Sequence, residues 1–349
     1  MSSRRLVGVV FLVVALSLSV GWGAPSVELK LNFIPKSETV YKVVMESSKD
    51  YSFVQPSINK TKERHTVGKV EMVFAQKIES VDGQGNAIAD ITVKQLKYLS
   101  QGPEGSTVEF DSESQQGKTD PLAQLIGAGY KIKITPKGSV EVVDAASARV
   151  IVKSGSAAKV AERLFSDEEI ARRHQVMALF DSDKCGSEKD VKRKAKAASS
   201  DKKSDSKASK AVRSKTCKKG NVWSSLAVSP GGMLRPKTFE KIYTLTDLKK
   251  QNKQTTAVVT MNAVPSSKRS EDLEGKDSAM GFFANMFDEK DDYTGKMVVN
   301  LTTGVISSYQ ETLKAQWLAA ESSEEQKSDK GPDQLTMGFT SLYSIEKVD

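Results

Sequence analysis

Apolar and polar residues alternate with period two along much of the chain. Met72 and Phe74 fall on one face of residues 70–79, and the same alternation returns in residues 87–93. The glycine-containing residues 81–86 lie between the two runs. Successive side chains of a strand point to opposite faces, and glycine supplies the positive φ that tight turns need. The pattern therefore predicts a β-hairpin with one buried face.

Four later features extend this pattern. Residues 132–142 and 297–317 each carry two apolar runs about a turn that contains threonine and glycine. Residues 238–264 carry two runs about a polar turn at 250–253, and residues 335–345 form a long closing strand. The predicted fold class is mainly β with minor α, as a large antiparallel sheet or half-barrel with a helical segment inserted midway.

The two halves of the chain share one local pattern. Residues 131–140 and 298–305 each contain a strand, a glycine turn and a second strand. Two interpretations stay open, related halves or chance similarity, because turn chemistry alone generates such matches. The predicted organisation is a signal peptide (1–23), a first β-rich half ending in helices (24–180), a basic disordered loop (181–220) and a second β-rich half completing the same domain (221–349).

Helical signals are concentrated between the halves. Ser166 and Glu169 form a capping box, in which Ser166 accepts from the Glu169 amide. Residues 156–165 are predicted to form the preceding helix, and residues 121–126 a short one. Residues 282–287 hold an apolar cluster at helical spacing.

The N-terminus has the layout of a secretory signal. Arg4 and Arg5 precede an apolar run at 6–20, and small residues follow at Gly21 and Gly23. The run is short for a membrane-spanning helix, so we expect a cleaved signal peptide. Such a peptide contacts the membrane only during export. The alternative is an uncleaved membrane anchor. The predicted location is periplasmic or extracellular.

The net charge of +8 resides in one segment. Residues 181–220 contain 14 Lys/Arg and 6 Asp/Glu, so the rest of the chain is neutral on balance. Residues 183–220 contain no aromatic side chain on which bases could stack, which argues against sequence-specific nucleic-acid binding. The segment is interpreted as a solvated tether or as a weak polyanion contact through residues 184–219. Residues 265–277 and 321–333 are also predicted to be polar loops.

Cys185 and Cys217 are the only cysteines and bracket the basic segment. Export implies an oxidising compartment, so a Cys185–Cys217 disulfide is predicted, with two free thiols as the alternative.

Motifs for catalysis or cofactor binding are missing. Residues 112–119 lack the first glycine of a phosphate-binding loop, and residues 181–192 fail as a calcium loop because Lys192 replaces the bidentate glutamate. Neither His65 nor His174 has metal-ligand spacing. We therefore predict no catalytic residue, no metal ligand and no cofactor, and leave open a dispersed carboxylate pair, because distant positions supply those in glycosidases.

The signal, the hairpins, the glycine turn in each half and the closing strand at 343–348 resemble uncharacterised exported bacterial β-rich proteins over residues 27–180 and 222–348. More distantly, the layout is similar to the half-barrel of periplasmic lipoprotein-carrier proteins. That likeness implies an apolar cavity for acyl chains and transfers no catalytic residue.

The leading hypothesis is an exported, non-enzymatic binding or envelope-associated protein that holds an apolar or lipid ligand. It predicts an internal cavity lined by Met72, Phe74, Met297, Phe339 and Tyr343. The alternatives are an exported hydrolase with a dispersed carboxylate site and a structural or polyanion-binding protein acting through the basic loop.

Overall fold

The computed structural model describes residues 26–187, 189, 216–234, 236–266, 287–321 and 329–348. The expected signal peptide, the greater part of the basic loop (residue 188 and residues 190–215) and all of the 282–287 cluster except Phe287 lie outside these residues, as do most of the two shorter polar loops. Those assignments stay predictions.

Alternating segments of the sequence form fourteen strands in the described residues. They are β1 (Ser26–Val27), β2 (Glu38–Gln55), β3 (Lys60–Val81), β4 (Ala87–Gln101), β5 (Thr107–Asp111), β6 (Gly129–Ile134), β7 (Val140–Asp144), β8 (Cys217–Lys218), β9 (Val222–Val228), β10 (Thr238–Gln251), β11 (Gln254–Pro265), β12 (Asp288–Asn300), β13 (Val305–Ala320) and β14 (Gln334–Val348).

Twelve strands make one antiparallel sheet in the order β7-β6-β4-β3-β2-β14-β13-β12-β11-β10-β9, with β5 beside β4. The predicted mainly β class with a large antiparallel sheet is confirmed. The first long strand of the chain pairs with the last one, and Val40 lies opposite Val348. Strands from both halves of the sequence therefore belong to one sheet.

The predicted hairpins form as β3–β4, β6–β7, β10–β11 and β12–β13. The β10–β11 turn is shorter than the sequence suggests, because the ladder continues to Gln251 opposite Gln254. Asn252 and Lys253 alone make the turn, with φ of 50° and 63°. Two successive positive φ values match the twist of the flanking strands, as in a type I′ hairpin.

The helices are α1 (Ala146–Val150), α2 (Gly155–Leu164) and α3 (Asp167–His174). The predicted cap of α3 is present, since Ser166 Oγ accepts from the Glu169 amide at 3.3 Å. The short helix predicted near residue 121 is a 3-10 turn, Pro121–Leu125, capped by Asp120.

The helical segment covers one face of the sheet. Helix α3 packs against β7, and the indole of Trp223 on β9 donates to the Ala178 carbonyl at 2.9 Å. The connection from β7 to β9 therefore runs across the face from one edge of the sheet to the other. Alternate strand residues on this helix-side face are fully buried, as Met72 and Phe74 show, which is what the period-two pattern predicts.

The predicted Cys185–Cys217 disulfide is present, with Cα atoms 5.9 Å apart and both residues buried. Cys217 belongs to β8, which pairs with β1, and Gly186 bridges Val222. The bond thus joins two ordered parts of the fold. A loop of this length adds about 3–4 kcal/mol in the chain-entropy model. No helix among the described residues is long and apolar enough to cross a membrane.

Candidate functional site

An N-terminal strap, residues 28–34, closes one end of the helix-side face. The amide of Leu31 donates to the Pro136 carbonyl at 2.8 Å, and the amide of Asn32 donates to the Gly304 carbonyl at 3.3 Å. The strap therefore bridges the β6–β7 and β12–β13 turns, the two turns that look alike in the sequence. Gly304 has φ +66°, and a Cβ there would lie 2.0 Å from the Asn32 nitrogen. Only glycine allows this close approach.

A small cavity lies beneath the strap, with a volume of about 50 Å³. Its lining combines apolar side chains with the polar side chains of Asn32, Ser37, Thr39, Gln76 and His174. The apolar lining includes Leu31, Tyr41, Ile78, Val176, Ile306 and Ile345. A few convergent polar groups in an apolar wall are typical of small-molecule sites. We call this the strap cavity.

His174 is a buried polar residue of the strap cavity, and its hydrogen bond holds its ring in place. It is 5% exposed, and its Nε2 lies 2.7 Å from the Tyr130 hydroxyl. Arg173 Nη1 donates to that hydroxyl at 3.2 Å, so the hydroxyl proton is free to donate to Nε2 of a neutral imidazole. Burial and the neighbouring Arg173 charge lower the pKa of His174 well below its usual value. The strap cavity therefore carries a neutral imidazole.

Arg173 is fully buried and holds α3 in place on the sheet. Its Nη2 donates to the Leu164 carbonyl at 2.7 Å, and its own carbonyl accepts from the Tyr343 hydroxyl at 2.9 Å. No carboxylate within the described ranges forms an ion pair with it. Neutral oxygens thus hold Nη1 and Nη2 of Arg173, while Nε is buried without a hydrogen-bond partner among the described residues, and these contacts fix the position of His174 beside it.

A second buried polar cluster lies on the same face beneath Met177. Lys241 Nζ is 2.6 Å from Glu311 Oε2, and the Tyr293 hydroxyl donates to the same oxygen at 2.7 Å. The Tyr309 hydroxyl donates to the other carboxylate oxygen. Burial raises the pKa of Glu311, but the Lys241 charge and the tyrosine hydrogen bonds outweigh burial and lower it overall.

The cluster is a closed structural element and not an accessible site. Gly295 lies opposite Glu311 in the β12–β13 register, and a Cβ at Gly295 would lie 3.3 Å from Glu311 Cγ. The glycine therefore leaves room for the glutamate side chain. Lys241 and Glu311 are both buried, and neither lines the strap cavity or the larger cavity on the other face of the sheet.

A much larger cavity, about 890 Å³, lies on the other face of the sheet. In β14, Tyr343 points toward α3, so Gly338 and Thr340, of opposite parity, face away from the helices. Cross-strand partners share a face, and the row through Gly338 crosses five strands at His65, Asp50, Gly338, Gln316 and Lys290. We call this the open-face groove.

The cavity predicted from the sequence is not where it was expected. Met72, Phe74 and Met297 are at most 1% exposed and line neither the strap cavity nor the groove, because they pack within the hydrophobic core, where Phe74 contacts the His174 ring of α3. Phe339 borders the groove, and Tyr343 binds α3.

The sequence interpretation missed the strap. Its signal is the alternation of Leu29, Leu31 and Phe33 just before β2, a run too short to stand out as an element. Leu29 and Leu31 are 1% and 7% exposed. The strap has no strand partner among the described residues; Leu29 packs in the hydrophobic core, and Leu31 and Phe33 line the strap cavity.

The two histidines have different settings. His65 is exposed, with Nδ1 2.6 Å from Asp50 Oδ1, whereas His174 is buried. Within the described ranges, no group of three or more His, Cys, Asp or Glu side chains could hold a metal ion.

Comparison with known proteins gives no assignment. No protein-family model matches the chain, and no curated protein sequence is significantly similar. Three of the similar solved structures show how weak the likeness is. A lipovitellin described for its lipid–protein interactions is 8% identical with a TM-score of 0.38, over 91% of this chain and 26% of that one. The chain therefore spans about a quarter of the lipovitellin chain.

The other two similarities are weaker. A DUF1329 family protein from Desulfovibrio piger is 9% identical with a TM-score of 0.14, over 88% of this chain and 85% of that one. The CymD monoaromatic hydrocarbon channel is 9% identical with a TM-score of 0.10, over 90% and 89%. With every TM-score below 0.5, these similarities carry no argument about function.

Proposed function

We propose that this chain is an exported, non-enzymatic binding protein that holds an uncharged apolar ligand between its sheet and the strap. The observation that carries the proposal is the strap cavity, an apolar space closed by residues 28–34 and edged by His174 and Gln76. Export is supported by the disulfide and by the signal-like N-terminus.

The lining selects an uncharged ligand. Tyr41 and His174 are the ionisable side chains among the described lining residues, and burial favours the neutral form of each, raising the pKa of Tyr41 and lowering that of His174. A carboxylate brought into this cavity would be desolvated without a countercharge, which costs several kcal/mol. A neutral lipid with one hydroxyl or carbonyl group fits the lining better than a fatty-acid anion.

The ligand enters by displacing the strap. The present volume of about 50 Å³ is well below the roughly 300–1,000 Å³ of drug-sized ligand sites. Among the backbone hydrogen bonds described, two join the strap to the turns, and each contributes about 0.5–1.5 kcal/mol net. Ile34, at the end of the strap, is 56% exposed. An apolar ligand would replace the contacts that Leu31 makes with the cavity lining when the strap is closed.

The test has two parts. Native mass spectrometry of protein purified from its host should show a neutral apolar adduct. After solvent extraction, the protein should bind the uncharged fluorophore N-phenyl-1-naphthylamine. Ile345→Phe fills the strap cavity and should weaken this binding at least fivefold, whereas Ile91→Phe overpacks a buried site outside the cavity and should leave the affinity unchanged if folded.

Equal affinity in the two variants, or tighter binding of an anionic fatty-acid probe, contradicts the proposal. Thermal melting of each variant separates loss of the site from loss of the fold.

A polyanion contact through residues 184–219 stays a separate proposal, supported by the local charge alone. Deleting residues 187–215 should lower retention on heparin at low salt. Unchanged retention leaves the segment as a tether.

A further inference from the structure

The open-face groove is a polar site on the face that the helices leave uncovered. Its walls come from β2, β3 and the β4–β5 turn on one side and from β12 and β13 on the other, with β14 as the floor. The floor is formed by small or hydroxylated residues, Thr336, Gly338 and Thr340, and is flanked by Ser52. A volume of about 890 Å³ falls within the range of small-molecule and short-peptide sites.

Charge is sorted across the groove. The β2–β3 side carries Asp50, Glu63 and Arg64, a net charge of −1, and the β12–β13 side carries Lys290, Lys314 and Asp292. Asp292 faces Lys314 in the register, so the second side keeps a net positive charge of one. One wall therefore attracts a cation and the other an anion.

Several of these charges have no ionic partner. Among the described residues, Lys290, Lys314 and Glu63 form no ion pair, whereas exposed lysines elsewhere on the sheet, such as Lys97 and Lys131, each contact two carboxylates. Asp50 is held by His65, which fixes the position of its carboxylate. The groove thus presents charges of both signs that a ligand could neutralise.

The spacing of the charges sets the length of that ligand. Asp50 and Lys290 lie in one row, separated by three strand spacings, which is about 14 Å. An extended peptide of four residues spans at most about 13–14 Å between its ends. We propose that the open-face groove binds short peptides with free termini, the ammonium at Asp50 and Glu63 and the carboxylate at Lys290 and Lys314.

Other ligands fit the groove less well. A polyanion would place charge against Asp50 and Glu63, which repel it. A neutral oligosaccharide would leave both lysines without a countercharge. The hydroxyls of Thr336, Thr340 and Ser52 suit the backbone amides and carbonyls of an extended peptide.

The experiment is calorimetric titration of the full mature protein with tetraalanine. Acetylating the peptide's N-terminus or amidating its C-terminus should each weaken binding at least tenfold. Lys290→Gln combined with Lys314→Gln should weaken binding similarly and remove the dependence on the free carboxylate. Lys296→Gln, on the same strand and face but outside the groove, should change nothing.

Gly338→Val tests the floor independently of charge. A Cβ at Gly338 would lie 3.5 Å from Asp50 Cβ, an ordinary contact, so the variant should fold while its larger side chain blocks the groove. Thermal melting checks this. The proposal fails if tetraalanine does not bind at millimolar concentration, if the capped peptides bind equally well, or if maltotetraose binds better. It is independent of the strap cavity, so Ile345→Phe should bind tetraalanine normally.

Discussion

At the scale of single residues, the buried Lys241–Glu311 pair controls part of the stability. Glu311→Gln removes the negative charge and leaves Lys241 buried without a counterion, which costs about 3–5 kcal/mol. Lys241→Met leaves an unpaired carboxylate and should cost a similar amount. Denaturant unfolding of the double variant should show a loss clearly smaller than the sum, because neither charge is then left alone. Strict additivity would show that the two charges are not coupled.

His174 makes stability depend on pH near neutrality. Its pKa in the folded protein is well below the ordinary value of 6.5, so below that pH the unfolded chain takes up a proton that the folded chain does not. The contribution of neutral His174 to the free energy of unfolding is fully present above pH 6.5 and is lost as the pH falls below that value. His174→Gln should flatten the fall in unfolding free energy between pH 7 and 5. A slope that His174→Gln leaves unchanged would contradict this prediction.

At the scale of secondary-structure elements, the two serine caps of the helical segment behave differently. Ser166 accepts from the Glu169 amide, whereas Ser154, at the start of α2, makes no side-chain cap. Ser166→Ala should lower the free energy of unfolding by about 1 kcal/mol, and Ser154→Ala by much less. Equal losses in chemical denaturation would show that the hydrogen bond from the Glu169 amide to Ser166 contributes nothing.

The strap depends on one glycine turn. Gly304→Ala adds a Cβ against the Asn32 backbone in addition to an unfavourable positive φ, so the strap must move. Gly105→Ala has a similar φ, +82°, but its Cβ would meet nothing within 4 Å. Both variants bear about 1 kcal/mol of backbone strain. Only Gly304→Ala should increase the rate at which N-phenyl-1-naphthylamine enters the strap cavity, measured by stopped flow. Equal rates would mean that the strap does not limit entry.

The sequence identifies elements better than it identifies the site. The long strands, the α3 cap and the cysteine pair follow from local rules, namely alternation, capping and compartment chemistry. The strap cavity and the open-face groove depend on which strands become neighbours. Asp50 and Lys290 are 240 residues apart in the sequence, and only the β2–β14, β13–β14 and β12–β13 pairings bring them into one row. Nothing local to either residue encodes that row.

At the scale of the whole molecule, the decisive contact is between the first and last long strands. The β2–β14 pairing contains fifteen cross-strand residue pairs, from Gln334 opposite Val54 to Val348 opposite Val40. Without this seam, each half would expose a long, partly apolar edge strand, which favours aggregation. The helical segment also packs against strands of both halves, from β7 to β9. In either half alone it would lose part of the sheet surface against which it packs.

We therefore predict that residues 24–349 unfold in one cooperative transition and that neither half folds alone. Residues 24–180 and 221–349, expressed separately, should be insoluble or lack protected amides in hydrogen exchange. Mixed during refolding, the two fragments should reassemble, because β2 and β14 carry complementary faces and need no covalent link. Two separate calorimetric transitions in the intact chain, or a well-folded single half, would instead establish two domains joined at the β2–β14 seam.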